Sequence, residues 1–465
     1  MPDPATREAT GSSLVSRNPL NGDVIQHYPA LTEQELEARI LRASTAFAQW
    51  KSEPFAARKQ VLTNIAAALR EQKEHLAQLM ATEMGKPVKE GVAETEKAAW
   101  CAEFYAENAE GFLADETLAS DAANSYVCYR PLGTILGILP WNAPLWLAFR
   151  FLAPALMAGN TCVMKHDPHV QGSALGIEAA FRSAGAPDDI MVNLCIDNSQ
   201  VETAIRHPGI AAISFTGSSR SGALAAATAA AEIKPAVLEL GGSDPCIIMA
   251  DADLEKAADV AVLSRIINAG QSCIAAKRVI VEAPVYDRML DLLKARLEKL
   301  RMGDPRDPQT DIGPIARADL RENLHRQVTR TVAEGARCLL GGELPEGDGY
   351  FYPTTLLADV TPGMCAFTEE TFGPVLCVGR ADSFEDALIQ ANDTEYGLGA
   401  SIWTASRAYI EQAVEELQAG QVAVNGIVKT DPRLPSGGIK KSGYGRELGP
   451  HGIREFVNTK QIWIA

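Results

Sequence analysis

The sequence predicts an α/β protein made of two doubly wound parallel sheets plus a small β flap. Three observations carry that prediction. Short β-branched and apolar runs alternate with helical stretches through the middle of the chain, the pattern of a parallel sheet buried on both faces. The same alternation resumes after Gly241-Gly242, which points to a second sheet. A strand-like segment, Val457 to Ile464, closes the chain and is too short to be a domain.

The first residues, MPDPATREATGSS, carry acids and lack the apolar stretch of a secretory signal, so they read as a frayed cytoplasmic tail. From Thr32 to Glu116 the pattern is helical, with Leu36, Ile40, Ala43 and Phe47 at helix spacing. Pro54 and the Gly85-Lys86-Pro87 break divide this stretch into separate helices. Strands are then expected at Tyr126 to Tyr129, Thr134 to Leu139, Thr161 to Lys165, Met191 to Cys195, Ala211 to Phe215 and Ala236 to Leu240. In the second half they fall at Cys246 to Met249, Arg278 to Glu282, Val375 to Gly379, Gly399 to Trp403 and Gln421 to Asn425. Residues 1–120 and 135–240 are thus assigned to one domain and 241–435 to a second. Residues 121–134 and 436–465 form the flap, which is expected to reach another subunit.

The chain has 465 residues, enough to bury a core in each domain without disulfide or metal help. Lys and Arg number 43 against 59 Asp and Glu, and the net charge of −16 disfavours nucleic acid or an anionic membrane as partner. No apolar run approaches the ~20 residues that span a bilayer. The nine cysteines occur singly, with no CxxC pair, which argues against a disulfide scaffold or a zinc ribbon. His166 and His169 have no third ligand beside them, so no metal site is expected, and His166 reads as a pocket-rim residue.

Four phrases carry chemistry. Cys273 sits in the small-residue turn Gly270-Gln271-Ser272-Cys273 beside Lys277-Arg278. A loop cysteine near cations has a depressed pKa and is a nucleophile candidate; the other reading is a packed turn cysteine. Glu239 ends an apolar strand just before two glycines, where open α/β sheets bind ligands. It is either a general base with a raised pKa or an acid capping the next turn. Asn142, between Pro140 and Pro144 at the end of another strand, is either an oxyanion donor or an Asx-turn. Phe215 to Gly222 leads from a strand into a helix and offers backbone N–H groups to a phosphate, without the lysine of a Walker loop.

Together PWN, LELGG, GQSC and EETFGPV, in that order, resemble the aldehyde dehydrogenase superfamily, over nearly the whole chain. The resemblance implies a Rossmann-like cofactor domain, a catalytic domain, and a homodimer or homotetramer. It makes Cys273 the nucleophile, Asn142 with the Cys273 N–H the oxyanion site, and Glu239 the base for thioester hydrolysis. It assigns NAD or NADP to Trp141, Lys165, Gly217, Ser218, Glu370 and Phe372. Within the superfamily the likeness is to bacterial succinate-semialdehyde dehydrogenases that use either cofactor, through LGGSDP, MGDPR and KKSGYGREL. Arg150, eight residues after Asn142, would then grip the substrate carboxylate, or else form a structural ion pair.

The chain also departs from the family. Ile267 stands where a second arginine is expected six residues before the nucleophile, and Arg433 is the substitute considered. Ser436 replaces an aromatic residue of the aldehyde channel, which widens the choice of substrate and keeps a broad aliphatic or aromatic aldehyde dehydrogenase as an alternative. Pro168 replaces an acid that opposes a 2′-phosphate, so NADP is tolerated, and His166 is a candidate to favour it. From another class, Cys273, Asn142 and Glu239 also suit a non-redox thiol esterase, and the scaffold suits a binding protein.

Overall fold

The computed structural model describes residues 13–465. The tail expected at the start lies outside the described residues, except that Ser13 already opens a strand. An antiparallel hairpin of β1 (Ser13–Arg17) and β2 (Val24–Pro29) precedes four helices, α1 (Glu33–Trp50), α2 (Phe55–Glu71), α3 (Lys73–Met84) and α4 (Val88–Phe112). Local chemistry sets their ends. Thr32 and Glu35 form a capping box at α1, and Pro54 and Pro87 precede α2 and α4. Gly85, at φ 78°, stops α3 in the left-handed region. The inward face of α4 is lined by Ala98, Ala99, Ala102, Ala106 and Ala109, small enough for close packing on neighbouring helices.

The chain continues through β3 (Glu116–Thr117), β4 (Asn124–Pro131), β5 (Thr134–Leu139), α5 (Pro144–Met157), β6 (Thr161–His166), α6 (Gln171–Ser183) and β7 (Met191–Asn193). It then forms α7 (Val201–Arg206), β8 (Ile210–Thr216), α8 (Ser219–Ala231) and β9 (Ala236–Glu239). Five of these strands make a parallel sheet in the order β9-β8-β5-β6-β7. The chain steps outward from β5 to β7 and returns on the other side of β5. Such a reversal opens a crevice at the carboxyl ends of β5 and β8. Every residue of β5 and β6 is buried, which is why these strands read as unbroken apolar runs.

The second sheet begins beyond Gly241-Gly242. Its members are β10 (Asp244–Ile248), β11 (Ala276–Glu282) after helix α9 (Leu254–Ile266), β12 (Arg337–Leu340), β13 (Thr355–Ala358), β14 (Val375–Ala381), β15 (Gly399–Trp403) and β16 (Gln421–Val424). Their order is β12-β13-β14-β11-β10-β15-β16, parallel except for the edge strand β12. A separate three-stranded sheet pairs β3 with β4 and β4 with β18 (Val457–Ile464), the latter over the full length of both strands.

The flap is smaller than expected. Thr134 belongs to β5, and Gly443–Tyr444 (β17) pairs antiparallel with β9 on the edge of the first sheet. Gly443, at φ 112°, permits this approach, since a Cβ there would lie 2.0 Å from the Leu238 carbonyl. The carboxyl-terminal segment therefore closes the first sheet before reaching the flap. Among the described residues no helix is long and apolar enough to cross a membrane.

Candidate active site

The turn that carries Cys273 is held in an unusual backbone. After α9, Asn268 (φ 55°), Ala269 (φ 52°) and Gly270 (φ 75°) are consecutive left-handed residues. Each of the first two costs of order 1–3 kcal/mol and persists only because its surroundings dictate it. The Asn268 N–H donates to Glu90 (2.7 Å), and its side-chain amide donates to the carbonyls of Asn142 (2.7 Å) and Gln271 (3.2 Å). The Lys277 ammonium donates to the carbonyls of Ser272 (2.8 Å) and Cys273. Gly270 has no substitute, because a Cβ would meet the Gly373 carbonyl at 2.3 Å.

Asn142 follows β5 directly and joins this turn. Its side-chain amide donates to the Gln271 carbonyl (3.1 Å), and its carbonyl also accepts from Lys86 (2.9 Å). Lys86 is in turn ion-paired with Glu94. The other Glu94 oxygen accepts from the N–H groups of Leu145 (2.9 Å) and Trp146 (3.1 Å), capping α5, whose own N-cap residue offers no side-chain bond. One buried carboxylate on α4 thus fixes both neighbours of the Asn142 amide.

Glu239 ends β9 and is 4% exposed. Its Oε2 accepts from Arg150 (2.8 Å), while Arg150 also pairs with Glu447 and donates to the Ser436 hydroxyl (3.3 Å). The second Glu239 oxygen, Oε1, has no hydrogen-bond partner among the described residues. Burial pushes the Glu239 carboxyl up to about 7; Arg150 opposes this and Glu447 adds to it. Gly437 makes room for the carboxylate, since a Cβ there would lie 2.9 Å from Oε1. The result is a buried carboxylate oriented through one oxygen, with the other free to accept a proton, as a general base requires.

Cys273, Asn142 and Arg150 line one cavity of about 360 Å³ together with Ile267, Trp146, Lys97 and residues 427–430. The depressed pKa expected for Cys273 is corrected: burial pushes the thiol up to about 11, against the opposing pull of Lys277 and Arg150. Desolvation outweighs both cations.

On the other side of the turn lie the residues assigned to the cofactor. Trp141 and Phe372 meet edge to face, with centroids 5.8 Å apart. Glu370 accepts from the Gly242 N–H (3.2 Å) and pairs with Lys277 (3.2 Å). A Cβ on Gly241 would fall 2.4 Å from Glu370 Oε2, so the missing side chain makes the carboxylate's seat. Lys165, at the end of β6, is buried and donates to Asn198 (2.6 Å). Gly217 and exposed Ser218 follow β8, and Ser218 caps α8 through the Ser221 N–H (3.3 Å). These residues border the carboxyl-end crevice of the first sheet, a fit for a dinucleotide.

Two expectations fail. His166 is fully buried and not on a pocket rim; burial lowers its pKa to about 4, so it brings no positive charge to a 2′-phosphate. Arg433 does not line the cavity; it forms a bidentate pair with Asp431 (2.8 and 2.6 Å) and lies over the Trp100 ring. Arg150 lines the cavity, and its guanidinium pairs with two carboxylates, Glu239 and Glu447. Ser436 supports that arginine from beneath and forms no part of the cavity wall. The sequence pattern also passed over Lys86, Glu90, Glu94, Lys97, Asn268 and Glu447. The signals for any of them were the Gly85-Lys86-Pro87 break, read only as a helix end, and the KKSGYGREL stretch that holds Glu447, read only as a family likeness.

The model of the aldehyde dehydrogenase family matches residues 6–462. A probable NADP(+) succinate-semialdehyde dehydrogenase of Synechocystis sp. is 44% identical over 453 residues, covering 97% of this chain and 100% of that protein. The NADP(+) succinate-semialdehyde dehydrogenase 1 of Mycobacterium tuberculosis is 44% identical over 457 residues, again covering 97% and 100%. Among solved structures, succinic semialdehyde dehydrogenase from Streptococcus pyogenes in complex with NADP+ superposes with a TM-score of 0.94 at 34% identity, covering 97% of this chain and 99% of that one.

Proposed function

Since the chain belongs to the aldehyde dehydrogenase family of NAD(P)-dependent oxidoreductases, we propose that it oxidises succinate semialdehyde to succinate with NADP or NAD. The observation that carries this reading is that Cys273 and Asn142 line one cavity, with the buried Glu239 carboxylate close enough to act electrostatically on the Cys273 thiol and its Oε1 left without a hydrogen bond. The names of the relatives support the choice of aldehyde and of cofactor.

Cys273 loses its proton to solvent water and attacks the aldehyde carbon as its thiolate, and the Asn142 amide with the Cys273 N–H stabilises the oxygen that becomes negative. When bound, the nicotinamide supplies the acceptor for the hydride that leaves the same carbon. Trp141 and Phe372 would wall its ring, Glu370 would hold its ribose, Lys165 the adenosine ribose, and Gly217 and Ser218 the pyrophosphate. The thioester left on Cys273 is cleaved by water whose proton goes to Glu239 Oε1. Arg150 orients that carboxylate, and burial, with a smaller contribution from Glu447 on the same guanidinium, raises its proton affinity toward neutrality.

The exposed Trp463 and Ile464 on the outer strand of the flap suit pairing with another copy, as a homodimer or homotetramer. Free cysteines throughout suit a reducing, cytoplasmic setting. Steady-state rates with succinate semialdehyde and butanal, each with NADP and NAD, test the reading. A kcat/KM at least ten-fold higher for the semialdehyde is expected, and turnover of butanal alone would discard the substrate.

A further inference from the structure

The turn that carries Cys273 rests on a buried cation. Lys277, the second residue of β11, is fully buried, and its ammonium donates to the carbonyls of Ser272 (2.8 Å) and Cys273. It also pairs with Glu370 Oε1 (3.2 Å), so a group with three N–H bonds meets three oxygens. Gly242 keeps the place open: a Cβ there would stand 2.9 Å from the Cys273 carbonyl, and the Gly242 N–H donates to the same Glu370 oxygen (3.2 Å). Asp244, at the start of β10, is a second acid within electrostatic reach of the ammonium. Arg278, next in the strand, turns instead to the carbonyls of Ser243, Gln390 and Ala391.

The Ser272 C=O and the Cys273 N–H are the two ends of one peptide unit. A cation bonded to the carbonyl draws electron density through the amide resonance and makes the N–H a stronger donor. We propose that Lys277 is a positioning residue of the oxyanion site: by gripping the Ser272 and Cys273 carbonyls, it fixes and polarises the Cys273 N–H. This rests on the aldehyde-oxidation reading above, which makes that N–H an oxyanion donor, and adds a residue that acts on it through the backbone. The same ammonium favours the thiolate. Burial pushes the Cys273 thiol up to about 11; Lys277 is the first cation that opposes this and Arg150 of α5 the second, while Glu370 and Glu239 of β9 add to it. Two reactions of Cys273 therefore depend on Lys277 unequally. Alkylation needs only the thiolate, whereas addition to an aldehyde needs the thiolate and the oxyanion donor.

The test compares wild type with Lys277→Met and with Lys277→Gln, which keeps N–H donors but no charge; urea unfolding checks that each is folded. One rate is the alkylation of Cys273 by iodoacetamide in the cofactor-free protein at about pH 9, followed on the Cys273 peptide by mass spectrometry. The other is the first turnover of NADPH formation at the same pH, with saturating butanal or succinate semialdehyde. Lys277→Met is expected to slow alkylation about ten-fold, one unit of thiol pKa, and the first turnover about 100-fold with either aldehyde. Lys277→Gln should slow alkylation as much and recover part of the first turnover. Should Lys277→Met not fold, the same two rates in Lys277→Gln decide. Equal slowing of both reactions, or a first turnover left unchanged, would overturn the assignment of Lys277 while the oxidation reading stands. A wild type that forms NADPH with neither aldehyde would overturn the oxidation reading and the assignment with it.

Discussion

Replacing Glu447 by Gln should shift the acid limb of the pH–rate profile downward. Arg150 is buried between Glu239 and Glu447, so one positive charge faces two negative ones. Two like charges on opposite sides of one guanidinium repel by about 1.5–3 kcal/mol at an effective dielectric of ~20, which is roughly one to two pKa units. Glu447 thus contributes to the raised proton affinity of Glu239, whose carboxyl stands near 7. A base works only when deprotonated, so wild-type kcat, which includes thioester hydrolysis, should climb through about pH 7. Without the Glu447 charge, Arg150 serves Glu239 alone, the pKa falls, and the limb should move down by one to two units. The assay is the pH dependence of kcat from reduced-nicotinamide absorbance, with butanal as substrate so that carboxylate recognition does not enter. An unmoved limb, or one displaced to higher pH, would refute the electrostatic coupling through Arg150.

Other substitutions separate the remaining roles. Cys273→Ala should abolish turnover yet bind NADP with near wild-type affinity by fluorescence titration; residual oxidation at the normal rate would exclude Cys273 as nucleophile. Asn142→Ala should lower kcat by about 10²–10³-fold with any aldehyde, the usual cost of removing one oxyanion donor, and a change confined to KM would argue against that role. Arg150→Met leaves two buried carboxylates unpaired and should cost about 3–5 kcal/mol in urea unfolding, besides lowering kcat on charged and uncharged aldehydes alike.

The parts of the site that were legible in the sequence are those that lie on strand ends. Cys273, Glu239 and Asn142 each follow or precede a buried strand, where local composition changes abruptly and a polar residue stands out. The α4 contribution was hidden for the opposite reason. Lys86, Glu90, Glu94 and Lys97 lie in or beside a charge-rich helix, and a buried charge there has the same spacing as a solvated one. The Arg150 cluster was half visible: the arginine was read, but its partners arrive from β9 and from Glu447, far along the chain. Strands β12 and β13 were missed because their apolar runs are only three residues long, and the hairpin β1–β2 because β2 is largely exposed. The Cys273 pKa was misjudged because neighbouring cations are visible in a sequence and desolvation is not.

The central claim is that the acyl group passes through Cys273 and that Glu239 releases it. The most direct test is to mix the Glu239→Gln variant with succinate semialdehyde and NADP, quench in acid and digest the protein for mass spectrometry. A succinyl increment should appear on the Cys273 peptide, in larger amount than in wild type quenched at the same time. NADPH formation with an unmodified Cys273, or a succinyl group carried by another residue, would contradict the account.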